Sequence, residues 1–75
     1  NFPFEITHLN KLKKLNISYN NLKSIPKKIY NLNNLYYLNL HGNKILELPI
    51  ELSKLINLEV LILSSNNNIL ISDEI

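Results

Sequence analysis

Seventy-five residues leave room for one domain at most, near the size below which a globular core seldom holds without a disulfide, a metal or repetition. The chain has no cysteine, which excludes disulfides, thiolate metal sites and a cysteine nucleophile and favours a reducing compartment; its net charge of +2 rests on lysine alone, without the arginine forks that read guanine and phosphate, so no nucleic-acid partner is expected. No apolar run approaches the roughly 18–20 residues that cross a bilayer, so no membrane insertion is expected, and the start at Asn1 reads as interior to a longer chain.

In chain order, the stretch from Phe2 to Leu9 (FPFEITHL) returns as Ile25 to Leu32 (IPKKIYNL) 23 residues later, so the chain opens on the back half of a repeat. Residues 1–11 are that partial unit, 12–34 and 35–57 are complete, and 58–75 is incomplete; together they make one segment, 1–75. Each unit opens with Leu at its first and fourth positions, Leu or Ile at the sixth and Asn at the ninth: Leu12, Leu15, Ile17, Asn20; Leu35, Leu38, Leu40, Asn43; Leu58, Leu61, Leu63, Asn66. Apolar residues spaced by two with polar neighbours predict short strands with one buried face, centred near 14–17, 37–40 and 60–63, each followed by a turn. The back halves space Leu22, Ile25, Ile29, Leu32 and then Ile45, Leu48, Leu52, Leu55 by three or four, which suits single helical or 3₁₀ turns near 26–32 and 49–55. Pro26 and Pro49 stand where those turns begin, with φ preset and no N–H to leave unpaired.

One unit cannot bury its own apolar side, whereas stacked units align equivalent positions in columns about 4.8 Å apart. The columns expected are Leu12/Leu35/Leu58, Leu15/Leu38/Leu61 and Ile25/Leu48/Ile71, with Asn20, Asn43 and Asn66 as a buried polar column whose amides satisfy backbone groups of the turns. Both ends of such a short stack are expected to expose core side chains, which makes the isolated segment marginal.

The pattern L-x-x-L-x-L-x-x-N-x-L-x-x-L-P-x-x-I-x-x-L, over essentially the whole chain, resembles the leucine-rich repeat, and its L-P-x-x-I-x-x-L back half resembles the 23-residue class of intracellular Ras-binding and signalling scaffolds. The resemblance implies an α/β solenoid with a parallel β-sheet on the concave face, short 3₁₀ or α turns on the convex face, and partner binding through the concave sheet. The last unit departs from the pattern, with Asn68 in place of an apolar turn residue and Ser72 in place of the proline, so the stack either frays there or passes into another element.

Strand alternation sends the third, fifth and seventh positions of each unit outward, and these are the candidate partner-binding residues: Lys14, Asn16, Ser18; Tyr37, Asn39, His41; Val60, Ile62, Ser64. The face runs from a lysine corner through a tyrosine to an apolar pair, Val60 and Ile62, with nothing comparable expected on the convex side. The bland reading is a β-prone surface whose aliphatics are tolerated or covered. Tyr36 lies near the rim, where it either packs on Lys13 or meets a partner.

His41, in a row with Ser18 and Ser64, invites a nucleophile reading. No acid is placed to orient the imidazole, Glu59 lying at the far end of its strand, and no Gly-rich oxyanion turn follows either serine, so a solvated histidine and no catalytic residue are expected. His8 falls in the convex half-repeat, so the two histidines cannot share a metal, and neither metal nor cofactor is expected. Lys11, Lys13, Lys14, Lys23, Lys27 and Lys28 make the first half basic; Glu47, Glu51, Glu59, Asp73 and Glu74 make the second acidic, a gradient that reads as solvated surface or as steering for an acidic partner. Asn16-Ile17-Ser18 is a glycosylation sequon whose glycan would block the proposed patch, so the two ideas exclude each other.

The leading expectation is therefore a monomeric, cytoplasmic, non-enzymatic interaction module of a signalling scaffold that binds a protein or peptide. The alternatives are a regulatory segment of a larger enzyme, such as a kinase, phosphatase or nucleotide cyclase, and an extracellular recognition ectodomain, the last requiring cysteine-bearing caps. Thermal unfolding followed by circular dichroism should give a low, broad transition for residues 1–75 alone and a markedly higher one with further repeats attached; a sharp, high-temperature transition of the isolated monomer is incompatible with this stacking argument.

Overall fold

The computed structural model describes residues 2–67 and 69–71, and in it three short strands, β1 (Lys14–Asn16), β2 (Tyr37–Asn39) and β3 (Val60–Ile62), alternate with three 3₁₀ turns, η1 (Phe4–His8), η2 (Lys27–Asn31) and η3 (Ile50–Lys54). The expectations attached to Asn68, Ser72, Asp73 and Glu74 lie outside the described residues. The strands form one parallel sheet in the order β1-β2-β3, with Lys14, Tyr37 and Val60 in register, then Leu15, Leu38 and Leu61, then Asn16, Asn39 and Ile62. This register is the 23-residue period expressed in space, since a slip by one residue would turn Leu15 or Leu38 out of the core.

The hydrogen-bond ladder runs past the strand ends into the turns. Tyr19 N donates to His41 O at 2.9 Å and Gly42 N to Ser64 O at 3.0 Å. The back halves are tied as well: Lys44 N donates to Leu22 O, Leu70 N donates to Leu46 O, and Glu47 and Leu70 form an isolated parallel bridge. Each 3₁₀ turn starts one residue after a proline, not on it. Pro26 and Pro49 are extended cap residues, with ψ of 152° and 144°, whose carbonyls accept the first turn bonds, from Ile29 N and Leu52 N. Pro3 does the same for Ile6 N.

Packing follows the columns, and the middle repeat is covered best. Leu35, Leu38, Leu40 and Ile45 are fully buried, as are Leu22, Ile29 and Leu32 beneath them, while Leu12, Leu58, Leu61 and Leu63 at the two ends are partly buried. Ile71 departs from the expected column: it is 54% exposed, whereas Ile25 and Leu48 are buried, because among the described residues it has a neighbour on one side only.

Asn43 and Asn66 form the polar column. Asn43 is 3% exposed; its Oδ1 accepts from Asn20 N (3.0 Å) and Leu22 N (2.9 Å), and its Nδ2 donates to Ile17 O (3.0 Å) and Leu40 O (2.9 Å). Asn66, 1% exposed, repeats the arrangement one repeat on, accepting from Ile45 N and donating to Leu40 O and Leu63 O. Asn20 does not join the column: it is exposed, and its Nδ2 reaches only Ser18 O within its own turn. The reason is directional. Each ladder amide reaches back to the preceding turn, and the turn that Asn20 would reach falls before residue 1.

A second asparagine ladder, not anticipated from the pattern, ties the loops that lead into the strands. Asn34 Nδ2 donates to Asn10 O at 2.9 Å and Asn57 Nδ2 to Asn33 O at 2.8 Å. These bonds are exposed and contribute less than the buried pair. Among the described residues no buried side-chain nitrogen or oxygen lacks a partner.

Replacing Asn43 by Leu should orphan Leu22 N, Asn20 N and Ile17 O, Leu40 O keeping its bond from Asn66 Nδ2, and cost at least about 2 kcal/mol in chemical denaturation, whereas Asn20→Leu should stay within about 0.5 kcal/mol. Equal effects at the two positions would refute the directional account of the column.

Candidate functional site on the outer face of the sheet

The nine outward positions stand in three registered rows. The first is Lys14, Tyr37, Val60 and the second Asn16, Asn39, Ile62, both within the strands; the third, Ser18, His41, Ser64, continues the period just beyond them. The rows are about one strand spacing, 4.8 Å, from residue to residue. Lys14 extends over the Tyr37 ring, its Nζ 5.3 Å from the centroid, so the cation and the aromatic form one unit. The cation that meets a tyrosine at this rim is thus Lys14 on Tyr37. Tyr36 contributes its backbone, accepting from Glu59 N and Val60 N and donating to Lys13 O.

In the second row the asparagines fold their side chains onto the chain two residues ahead. Asn16 Oδ1 accepts from Ser18 N (3.1 Å) and Ser18 Oγ (2.8 Å), and Asn39 Oδ1 accepts from His41 N (2.9 Å). These side-chain turns close the strand ends. Ile62 cannot make the equivalent bond, so the motif stops at β3.

The third row differs from its expected form. Ser18 is turned away toward Asn16 and does not approach the histidine. His41 is half-buried and bonded at both ring nitrogens, with Nδ1 2.6 Å from Ser64 Oγ and Nε2 2.8 Å from Tyr19 Oη. It is therefore not the solvated side chain the sequence suggests. A neutral imidazole has one N–H and one lone pair in the ring plane, so one hydroxyl donates to the ring while the other accepts from it. Among the described residues no carboxylate completes this trio. Glu59 immediately precedes β3, at the opposite end from Ser64.

Tyr19 is the participant that the sequence reading missed. Its backbone is left-handed, with φ of 57°, as are the equivalent Gly42 (71°) and Ser65 (59°). Its ring lies across Gly42 and meets His41 edge-on, centroids 5.0 Å apart at 86°. A Cβ on Gly42 would come within 2.6 Å of Tyr19 Cδ1, so glycine leaves room for the ring; the left-handed φ is eased by glycine but is also adopted by Tyr19 and Ser65. The signal was present in the sequence: the chain's one glycine stands 23 residues after a tyrosine and directly after the histidine.

The aliphatic pair is less distinctive than expected. Val60 is 39% exposed, in part because β3 is an edge strand of the described sheet, and Ile62 is half-buried. On the 3₁₀ side Leu46, Ile50 and Ile56 are each more exposed than Val60, so the expectation of nothing comparable there does not hold. Those three are spread along the back half, before, within and beyond η3, whereas Val60 and Ile62 share one strand face beside Tyr37. His8 is exposed in η1, away from His41, and among the described residues no group of three or more His, Asp or Glu side chains could hold a metal ion. No helix among them is long and apolar enough to cross a membrane.

The sequence profile described as leucine rich repeat matches residues 5–45, over half of the chain. This chain belongs to the leucine-rich repeat family. A solved leucine-rich-repeat protein of Leptospira interrogans superposes with a TM-score of 0.91 at 38% identity over 97% of this chain. The chain spans 19% of the length of that protein. None of the curated proteins gives a significant match. Leucine-rich repeats generally mediate protein–protein interaction and are typically non-catalytic, and the parallel sheet with 3₁₀ turns described above is their fold.

Gly42→Ala should cost about 1–2 kcal/mol through the left-handed backbone, with a further loss from displacing the Tyr19 ring. In a double-mutant cycle with Tyr19→Ala, thermal denaturation should give a double-mutant loss smaller than the sum by at least about 0.5 kcal/mol. Strict additivity would mean that the ring does not rest on Gly42.

Proposed function

We propose that the outer face of the sheet is the concave side of a longer leucine-rich-repeat solenoid and that it binds a protein or peptide partner without catalysing a reaction on it. The observation that carries this reading is the register: Lys14, Tyr37 and Val60, with Asn16, Asn39 and Ile62 beside them, are held in two parallel rows by a backbone ladder. Side chains fixed in this way lose little freedom when a partner docks, so more of the contact energy appears as affinity. Tyr37, braced by Lys14, is the aromatic anchor of the patch, and Val60 and Ile62 give it an apolar flank.

The His41–Ser64 pair supports a structural role in preference to nucleophilic chemistry. Both ring nitrogens are taken up by hydroxyls, and the pair lies on an open sheet face without an acid to orient the ring. Its three members come from three successive repeats, Tyr19, His41 and Ser64, so the cluster fastens the turns along the edge of the binding face. The segment acts within a larger protein, and its partner is recognised by these rows.

Tyr37→Ala and Ile62→Asp should each weaken partner capture by the parent protein at least tenfold, measured by surface plasmon resonance, with circular dichroism unchanged. Lys27→Glu and Glu51→Lys, on η2 and η3, should leave it within about twofold. The reverse pattern would assign the partner to the 3₁₀ side.

A further inference from the structure

The outer face sorts hydrogen-bond donors from acceptors. Asn16 and Asn39 have their carbonyl oxygens already committed, to Ser18 N and Oγ and to His41 N respectively. Because the oxygens turn toward the chain, each amide is fixed in one orientation with Nδ2 as its outward donor; Asn16 Oδ1 has both lone pairs engaged, whereas Asn39 Oδ1 accepts a single bond. Among the described residues Asn16 Nδ2 has no protein partner, and Asn39 Nδ2 reaches only Tyr37 Oη at the limiting distance of 3.5 Å. The side chain in the row beside Asn16 is Lys14, a third donor and the one charged group in the three rows. No carboxylate belongs to these rows. The β1–β2 half of the face is thus built of donors and carries positive charge, while the β3 half is aliphatic, with Val60 and Ile62. His41 adds nothing to the donor set, since both of its nitrogens are occupied.

Resting on the proposed peptide-binding role of this face, we infer that its ligand is an acidic peptide: a carboxylate held by Lys14, Asn16 and Asn39, and an aliphatic side chain set against Val60 and Ile62. The spacing follows from the sheet. From β1 to β3 is two strand intervals, about 9.6 Å. Three residues of polyproline II chain cover about 9.3 Å and, at three residues per turn, return side chains i and i+3 to the same side. The recognised pattern is therefore a carboxylate and an aliphatic residue three positions apart, with the intervening backbone crossing Tyr37. Charge complementarity selects the acid over its amide, and a lysine in that place would face the like charge of Lys14 and the outward Nδ2 donors of Asn16 and Asn39.

The test uses the parent protein containing this segment and fluorescein-labelled dodecapeptides in fluorescence anisotropy, with amide and side-chain NH₂ shifts from NMR locating the contact. The peptides carry Asp and Leu three apart in either order; controls replace Asp by Asn, Asp by Lys, or Leu by Ala, or move the pair to adjacent positions. The Asp/Leu peptides should bind at least tenfold tighter than every control and shift the Asn16 and Asn39 NH₂ signals. Asn16→Asp with Asn39→Asp keeps the accepting oxygens that close the strand ends while replacing both donors by charge, so it should abolish the preference without changing the amide spectrum elsewhere. Lys14→Glu should move it toward the Lys peptide. If peptides shift Tyr37 and Ile62 but acid, amide and lysine versions bind alike, or if the Asn→Asp pair leaves the acid preference intact, the acidic-ligand inference falls while peptide binding by this face stands. If no peptide in the set perturbs the outer face, and the parent protein captures its partner unaffected by Tyr37→Ala and Ile62→Asp, both fall together.

Discussion

The buried amide of Asn43 is the contact on which the rest of the structure depends. A chain that reverses direction after only three strand residues leaves N–H and C=O groups inside the turn that no neighbouring strand can reach, and unpaired they would each cost as much as the burial of an aliphatic side chain returns. One primary amide answers four of them at once, in two repeats. Aspartate could not substitute, because an ionised carboxylate has no donors for Ile17 O and Leu40 O, and leucine has neither donor nor acceptor. Because the amide reaches backward, every turn is built on the one before it. The 23-residue register of the sheet, and with it the rows of the outer face, is inherited from this dependence.

The same residue type does three different jobs according to where the period places it. At the ninth position, as Asn43 and Asn66, asparagine is buried and bridges turns; just before the first leucine of a repeat, as Asn34 and Asn57, it is exposed and ties the loops that enter the strands; at the fifth position, as Asn16 and Asn39, it caps a strand end with its oxygen and presents its nitrogen outward. Composition alone counts these as one class. What separates them is burial and the direction of the side chain.

A stack in which each repeat touches only its neighbours is quasi-one-dimensional, so three repeats suffice to define the geometry of the middle one. Leu35, Leu38, Leu40 and Ile45 are fully buried for that reason, although the chain spans only 19% of the Leptospira protein it resembles. The outer face is correspondingly modular. Its character changes from repeat to repeat, from lysine and amides on β1 to aliphatics on β3, while the backbone beneath stays the same, which is how one architecture presents different surfaces along its length.

The sequence by itself determined the architecture, since a fixed period with apolar residues at constant positions admits one economical burial, stacking, and so strands near 14–17, 37–40 and 60–63 and single helical or 3₁₀ turns near 26–32 and 49–55 were legible before any coordinates, the observed β1, β2, β3, η2 and η3 lying within those spans. It also determined which side chains leave the core, because strand alternation has a period of two. It could not decide what those side chains do to one another. That Ser18 turns to Asn16 while Ser64 meets His41 depends on competition between a local bond and one 23 residues away. Tyr19 escaped the pattern altogether, because its contact with His41 follows from a left-handed backbone at position 19 and an absent Cβ at Gly42, and neither a torsion angle nor a vacated volume is written in hydrophobic periodicity. Repetition fixes what equivalent positions share; the differences between them are settled by unlike side chains meeting across neighbouring turns, and that meeting exists only in the folded chain.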